Sequence, residues 1–358
     1  MKNQFHLLDW QIWKQLNDDE KKVQMRQILM YFVSPLLPIE NIRLKNYSLG
    51  GVKCRTFTLS INGESFVFVP GNQEAILGWD EGTKGLASHE LLAGEELRWE
   101  NAENFLSAEF AEEDAPACDF TTIRGVADYI NSHTSPLRKT VVPPMLVAKH
   151  SSPVGTRFIG TLDVVTGEFS GQVDAYSLIE EKIKKAVMPE LPPERALNWN
   201  FPRSYLARDE FYLEMDPATN RYQIYTHAPC DYSQLLKQLR KYNFSLPNEN
   251  EWEYFVGAGT RRLFRWGPDV RGLHRSPLPP EVTGENMFGL VINSERNQFC
   301  LLQDSSCLKG GPILGGGGHF IEQILPLSTY YRAPHQVPLE GVLDPYRYLY
   351  RKVVRIEP

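Results

Sequence analysis

The sequence is short of cysteine, of long apolar runs and of excess positive charge. Its cysteines are Cys54, Cys118, Cys230, Cys300 and Cys307. An odd, scattered set of five excludes a disulfide scaffold and favours free thiols in a reducing cytoplasm. No stretch approaches 18 consecutive apolar residues, so we predict no membrane-spanning helix and no membrane partner. Lysine and arginine total 38 against 44 aspartates and glutamates, and this net charge of −6 argues against a nucleic-acid partner.

Several common signatures are also missing. There is no glycine-rich phosphate loop ending in Gly-Lys, no Gly-x-Ser-x-Gly nucleophile elbow and no repeat of fixed period. Asp9 and Trp10 come too early for the N-terminus to be a signal peptide. What is present is a chain of 358 residues, of which 42% are apolar. That is enough for a substantial core in one large or two modest domains.

The N-terminal segment has a helical pattern. Residues 9–33 are predicted to be helical, with Asn17 as the N-cap and Glu20 completing a capping box. The stripe expected to be buried consists of Val23, Ile28, Leu29 and Phe32. We therefore predict a helical N-terminal extension over residues 1–50, docked on the main body or offered to a partner.

The rest of the chain mixes strands with a few helices. Alternation over residues 52–61 and 64–70 around Asn62-Gly63 predicts a two-residue β-hairpin. Residues 176–187 and 231–242 have the periodicity of amphipathic helices. Short β-branched runs fill much of the remainder, and together these patterns predict an α+β fold.

An acidic insertion occupies the region around residues 80–135. Its glutamates and aspartates are concentrated between residues 94 and 119. A run of one charge is typical of a solvated face or loop. The alternative is a surface that binds a cation or a basic partner.

A more specific pattern begins at residues 245–254, Ser-Leu-Pro-Asn-Glu-Asn-Glu-Trp-Glu-Tyr, and continues at Trp266-Gly267. It resembles a signature of the formylglycine-generating-enzyme, or sulfatase-modifying-factor, superfamily. Weaker matches in the family's order lie at residues 66–71, 76–78, 141–149, 286–290, 297–300, 308–311, 328–332 and 350–354. The resemblance implies a C-type-lectin-like fold over residues 51–358, with twisted antiparallel sheets and two main helices.

The same resemblance predicts the loss of the family's metal centres. The copper-binding cysteine pair would fall at Gly315 and Phe320, or near Ser328, and residues 308–358 contain no cysteine. The iron-binding helical domain of related sulfoxide synthases has no counterpart here, and the glutamate of the calcium loop is replaced by Cys300. We therefore predict no cofactor, with calcium as the remaining alternative.

The family's pocket, mapped onto this chain, gives a candidate cleft. Its residues are Gly315, Gly316, Gly317, Gly318, His319, Tyr330, Tyr331, Arg332 and His335. Glycine amides bind anions, arginine clamps a carboxylate or phosphate, and histidine serves as a base or a ligand. The alternatives are a flexible glycine loop, ordinary hydrogen-bonded histidines and a structural ion pair for the arginine.

Two further groups are candidates for binding. Cys300 and Cys307 are spaced for a metal site but are more typical of buried free thiols. The basic cluster at residues 261–265 suits nucleic acid but conflicts with the net charge. The sequence therefore predicts a bacterial, cytoplasmic binding module without the family's catalysis, whose partner is a protein, a peptide or a small anionic ligand. The alternative is an enzyme of different chemistry in the same cleft.

Overall fold

A computed structural model gives the fold and describes residues 5–87, 91, 118–190, 192, 199–216, 220–270, 273, 278–292, 298–311 and 319–357. Four sheets lie within these residues. The strand orders are β1-β2-β3-β6-β16, β10-β11-β12-β8-β9, β14-β13-β15-β7 and β4-β5. Neighbouring strands are antiparallel except for the parallel pair β13–β15. The predicted α+β class is confirmed, whereas the finer C-type-lectin-like architecture is not.

The N-terminal segment forms two helices rather than one. After a 3₁₀ turn come α1 (Trp10–Trp13) and α2 (Asp18–Phe32), and the predicted capping box at Asn17 is confirmed at the start of α2. Ile28 and Leu29 are buried, but Val23 is 48% exposed because α2 turns a different stripe toward the core. The prediction for Val23 was therefore wrong.

The first sheet contains β1 (Ile39–Leu49), β2 (Val52–Ile61), β3 (Glu64–Val69), β6 (Met145–Ala148) and β16 (Val353–Arg355). The hairpin at Asn62-Gly63 is confirmed, and both turn residues have positive φ, as a type I′ turn requires. Because β1 pairs along its length with β2, the helical extension ends at α2 and does not reach residue 50. Trp13 is fully buried against this sheet, where its ring lies 4.6 Å from that of Phe68.

The second sheet and its helices come from the middle of the chain. They comprise β8 (Thr156–Asp163), β9 (Phe169–Gly171), α4 (Val173–Ser177), α5 (Glu180–Val187), β10 (Ser204–Ala207), β11 (Phe211–Asp216) and β12 (Arg221–His227). One face of the sheet packs on α4 and α5 around a core of its own that includes Ile183, Leu213 and Ile224. The Ala228 amide donates to the Gly155 carbonyl at 3.0 Å, so the two ends of this unit meet.

The remaining elements connect the sheets. They are β4 (Asn72–Leu77), α3 (Ile123–Ser132), β5 (Arg138–Val142), β7 (Ser152–Pro153), α6 (Tyr232–Arg240), α7 (Glu249–Gly257), α8 (Pro280–Thr283), β13 (Gln298–Leu301), β14 (Leu308–Gly311), α9 (Phe320–Ile324) and β15 (Tyr348–Tyr350). The predicted cap of α7 at Asn248 is confirmed, and its side chain accepts from the Glu251 amide. The acidic stretch 94–119 lies almost wholly outside the described residues. None of the helices that the structure describes is long and apolar enough to cross a membrane.

Candidate functional site

The structure describes five of the nine predicted cleft residues, and these five have different surroundings. Gly315, Gly316, Gly317 and Gly318 lie outside the described residues. His319 caps α9 through Nδ1, which accepts from the Ile321 amide, and its ring stacks on Phe120 at 4.6 Å. Burial lowers the pKa of this imidazole. His335 instead packs edge-on against Phe299. The two histidines therefore have separate surroundings and different neighbours.

The tyrosines and the arginine of the predicted cleft also differ in burial and in their partners. Tyr330 and Tyr331 are buried in the core. Arg332 binds Glu249 through both arms of its guanidinium, with Nε 2.7 Å from Oε1 and Nη2 2.5 Å from Oε2. This fork geometry is the usual bidentate arginine–carboxylate pair. The donors predicted to clamp an external anion are thus occupied by an acid of the fold.

Arg332 is the outer member of a larger group that we call the buried charge cluster: Arg138, Glu249, Glu253, Lys309 and Arg332. Lys309 Nζ lies 2.9 Å from Glu249 and 2.7 Å from Glu253, and all three side chains are at most 18% exposed. Arg138 approaches Glu253 at 3.0 Å from strand β5. The first turn of α7 is held in this way by β5, by β14 and by the segment after α9.

The cluster fixes the ionisation of Glu249. Burial acts to raise the pKa of Glu249, but the hydrogen bonds from Arg332 and the charge of Lys309 outweigh it. The pKa of Glu249 is therefore held well below its ordinary value of 4.5. Glu249 stays ionised under any physiological condition and is not a general acid or base.

This shift predicts how acid affects stability. A carboxyl whose pKa is lowered by folding stabilises the protein above its unfolded pKa, near 4.5, and the contribution is lost as the pH falls below that value. Glu249→Gln should therefore lower stability at pH 7 and weaken its decline on acidification. Urea midpoints measured between pH 7 and pH 3 test this, with Glu74→Gln, at an exposed ion pair, as the control. An unchanged decline in Glu249→Gln would contradict the assignment.

The two cysteines that are spaced for a metal site are free thiols. Burial raises the pKa of Cys300 to about 12 and that of Cys307 to about 11. The Cys307 thiol lies 3.5 Å from Glu249 Oε1. Within the described ranges, no group of three or more histidine, cysteine, aspartate or glutamate side chains is arranged to hold a metal ion. Neither thiol has the lowered pKa of a reactive cysteine.

A cavity of about 200 Å³ lies beside the cluster, and we call it the front cavity. It opens between α1, strand β4, the loop after α7 and residues 287–288. Its aromatic walls are Trp10, Tyr254, Phe288 and Tyr330. Its polar side chains are Gln11, Asn72, Glu74 and Arg261. Apolar walls with a few polar groups are the usual composition of a ligand pocket.

The walls are held by contacts within the fold. Trp10 is fixed because its amide donates to the Gly71 carbonyl at 2.7 Å, and its ring meets Phe288 edge-on at 5.9 Å. The Tyr254 hydroxyl donates to the Pro70 carbonyl at 3.0 Å. These contacts join α1, α7 and the end of β3, so the cavity is preformed.

The fully buried Asn286 organises the opposite wall. Its amide nitrogen donates to the Phe255 carbonyl at 2.6 Å, which ties the loop to α7. Its side-chain oxygen accepts from the amides of Phe288 and Leu290. One side chain thus forms hydrogen bonds with three backbone groups of a tight loop. These bonds hold Phe288 in contact with Trp10.

Arg261 is the cation of the front cavity. Helix α7 ends at Ala258 in the left-handed conformation, and Gly259 and Arg261 also have positive φ, so the chain turns back sharply over the cavity. No residue in the described part of the chain forms a hydrogen bond or ion pair with the Arg261 guanidinium. Burial and Glu253 raise the pKa of the Tyr330 hydroxyl, whereas the charges of Arg261 and Arg138 oppose this. Arg261 therefore acts electrostatically on the tyrosine within the cavity.

The middle unit of the chain has a recognisable relative. Its sheet, its two helices and its adjoining ends form a compact element with its own core. Residues 157–226 match the family model of a profilin-like domain of unknown function, DUF7278. The match covers about a fifth of the chain and coincides with β8 through β12 and helices α4 and α5. No curated protein matches the sequence.

The match to the profilin-like family model overturns the resemblance to the formylglycine-generating-enzyme superfamily. The family comparison supports a profilin-like match over residues 157–226 and gives no support for the superfamily, so the resemblance was wrong. The residues that carried the resemblance have ordinary structural tasks: Asn248 caps α7, and Trp252 and Tyr254 pack in the core. Such tasks recur in unrelated folds, and short motifs of this kind therefore identify families poorly.

Sequence reasoning finds Tyr330 but misses the rest of the front cavity. Arg261 enters it only as part of a basic cluster, and Trp10 only as part of a docked helix. The available signal is the Gly-x-Gly turn before Arg261, at Gly257 and Gly259, which reverses the chain at the end of a helix. Nothing in the local sequence places Trp10 opposite it.

Proposed function

We propose that this protein is a binding module that takes a small anionic ligand with an aromatic or apolar body into the front cavity. The observation that carries the proposal is Arg261, a guanidinium without a partner among the described residues, at the edge of a preformed aromatic cavity. Guanidinium groups recognise carboxylates and phosphates through paired hydrogen bonds. Trp10, Phe288 and Tyr330 supply the apolar surface for the rest of the ligand.

The dimensions of the cavity favour a small molecule. About 200 Å³ accommodates a single ring with a short substituent, whereas a folded partner needs a broad surface rather than a cavity. An extended peptide could insert only one side chain. The ligand class that fits both volume and charge is an aromatic carboxylate or phosphate monoester.

Binding is better supported than catalysis. The described residues that line the front cavity include no histidine, cysteine or aspartate. The Lys139 hydrogen bond lowers the pKa of Glu74, and burial raises the pKa values of Tyr254 and Tyr330. No lining group is therefore tuned to exchange protons near pH 7, as acid–base catalysis requires. The enzyme alternative has no observation in its favour at this cavity.

We expect Arg261→Gln to weaken the binding of phenyl phosphate and benzoate about tenfold or more, because charged hydrogen bonds contribute about 1.5–3 kcal/mol. The neutral analogue benzyl alcohol should bind weakly to both proteins. Isothermal titration calorimetry and ligand-dependent thermal shifts measure these affinities.

The neighbouring Arg262 provides the matched control. It is also exposed, carries the same charge and does not line the cavity. Arg262→Gln should bind phenyl phosphate as the parent does. Equal losses in both variants would indicate nonspecific charge attraction, and no loss in Arg261→Gln would refute the proposed site.

The proposal includes a cytoplasmic location. All five cysteines are free thiols in the structure. Free thiols persist in reducing compartments and are oxidised or paired outside them.

A further inference from the structure

A second cavity, of about 180 Å³, lies where the profilin-like domain meets the sheet that contains β13 and β15. We call it the seam cavity. Strands β10 and β11 form one wall through residues 203–206, Tyr212 and Glu214, and the other wall includes Tyr346 and Leu349. Ligand sites are common where two structural units meet. The seam cavity is separate from the front cavity, so a ligand of the seam cavity is independent of the proposed function.

Glu214 is the carboxylate of the seam cavity, and it is incompletely paired. Its Oε2 atom is buried and has no hydrogen-bond donor. Its Oε1 atom lies 3.2 Å from His150 Nδ1, within ion-pair distance but without hydrogen-bond geometry. A buried acceptor without a donor is costly, and native structures rarely leave one unexplained.

The buried charge of Arg351 does not satisfy Glu214. Arg351 is buried and interacts electrostatically with this carboxylate. Its Nη1 and Nη2 donors, however, point to four other oxygens, those of Ala148, Lys149, Ser151 and Val291. Its buried Nε atom has no acceptor. The positive charge of Arg351 therefore stabilises the ionised Glu214 carboxylate, but Arg351 gives Glu214 no hydrogen bond.

The strands around Glu214 surround it with uncharged side chains. Ser204 lies directly opposite Glu214 on β10, and Gln223 lies opposite on β12. Side chains at these positions share one face of the sheet with Tyr212. A carboxylate with such neighbours suits a small donor with an apolar body.

The rest of the seam cavity adds the rings of Tyr205 and Tyr346 and one cation. The Tyr346 hydroxyl donates to the Leu206 carbonyl at 3.0 Å, which holds its ring at the cavity. Arg203 is the charged lining residue besides Glu214, and it is exposed to solvent. Because solvent screens an exposed charge, Arg203 opposes the Glu214 carboxylate, whose side chain is 18% exposed, only weakly.

We propose that the seam cavity binds a protonated alkylamine, with the ammonium group donating to Glu214 and the carbon chain lying between Tyr212 and Tyr346. An ammonium group provides three donors and a charge opposite to that of the carboxylate. Aromatic rings attract cations and cover apolar chains. The free amine and a lysine side chain of a partner share this chemistry, and the free amine is the form that the enclosed volume favours.

The test uses the full chain with n-butylammonium as the probe and 1-butanol as the uncharged analogue. Calorimetric titration should show binding of the amine and little binding of the alcohol. Glu214→Gln keeps the shape of the side chain and should weaken amine binding about tenfold or more. Glu210→Gln is the matched control, because Glu210 lies on the same domain, pairs with Lys182 and does not line the cavity.

A second variant keeps the test decisive if Glu214→Gln does not fold. Ser204→Lys places an ammonium group on the edge strand, directly opposite Glu214, where cross-strand side chains are in contact. It should abolish amine binding while phenyl phosphate binding at the front cavity stays unchanged. Undetectable amine binding by the parent at millimolar concentration, or equal binding by the parent and by either variant, would overturn the proposal.

Discussion

Replacing Lys309 with methionine is expected to lower the free energy of unfolding by about 3 kcal/mol. The Lys309 side chain is only 1% exposed and contacts both Glu249 and Glu253, whose own side chains are largely buried. Without the lysine, two carboxylates face each other with less compensation. Arg138 and Arg332 remain, which is why we expect the lower end of the range for broken buried ion pairs. Urea unfolding at pH 7 measures the change.

Two further variants separate the charge of Lys309 from its packing. Lys139→Met removes an exposed ion pair with Glu74 on the neighbouring strand and should cause a much smaller loss, because solvent screens exposed ion pairs. The double variant Lys309→Met with Glu253→Leu removes both partners and should recover part of the loss. A loss in Lys309→Met no greater than that in Lys139→Met would contradict the importance of the buried charge cluster.

Gly78→Ala is expected to be highly damaging for the addition of a single methyl group. Gly78 follows β4 with φ of +87°, and a Cβ atom there would lie 2.0 Å from the Pro136 carbonyl oxygen. Because the obstacle is backbone, no side-chain rotation relieves it. We expect a loss of about 1–3 kcal/mol from the clash, added to about 1–2 kcal/mol from the left-handed conformation. Chemical denaturation and thermal melting measure the sum.

Gly85 provides the control that isolates the clash. Its φ of +82° is nearly the same, but an added Cβ atom would meet nothing within 4 Å. Gly85→Ala should therefore show only the conformational cost. Similar losses for Gly78→Ala and Gly85→Ala would mean that the chain shifts freely at the end of β4, against the close approach of Gly78 to Pro136.

Local features of this fold could be predicted from the sequence, because their causes are local. Asn62-Gly63 determines a hairpin turn by its own backbone preference, and Asn17 and Asn248 begin helices by capping residues three positions away. The break between α1 and α2 was less evident, because Trp10 and Trp13 continue the apolar pattern although the chain turns after them.

The sites depend instead on residues that are distant in sequence. Lys309 meets Glu253 across 56 positions, and Arg261 shares its cavity with Trp10. The approach of His150 to Glu214 depends on how the middle unit packs on the sheet that contains β13 and β15. No periodicity or motif in a single sequence predicts contacts between residues so far apart. The mistaken family resemblance has the same origin, since caps and aromatic anchors reflect local packing and not ancestry.

The middle unit, β8 through β12 with α4 and α5, enters and leaves the rest of the fold at a single point, where Gly155 and Ala228 are joined by a backbone hydrogen bond. Its strands pair with one another, so no sheet elsewhere in the described part of the chain depends on it for a neighbour. A segment with this geometry has the form of an inserted domain, which we call the insert, and we call the rest of the fold the host. One insertion into a surface turn would add the insert, and one deletion would remove it, without breaking a strand of the host. The sequences of the host and the insert are then free to diverge at different rates. Residues at the interface between them, which includes the seam cavity, can change without disturbing either core.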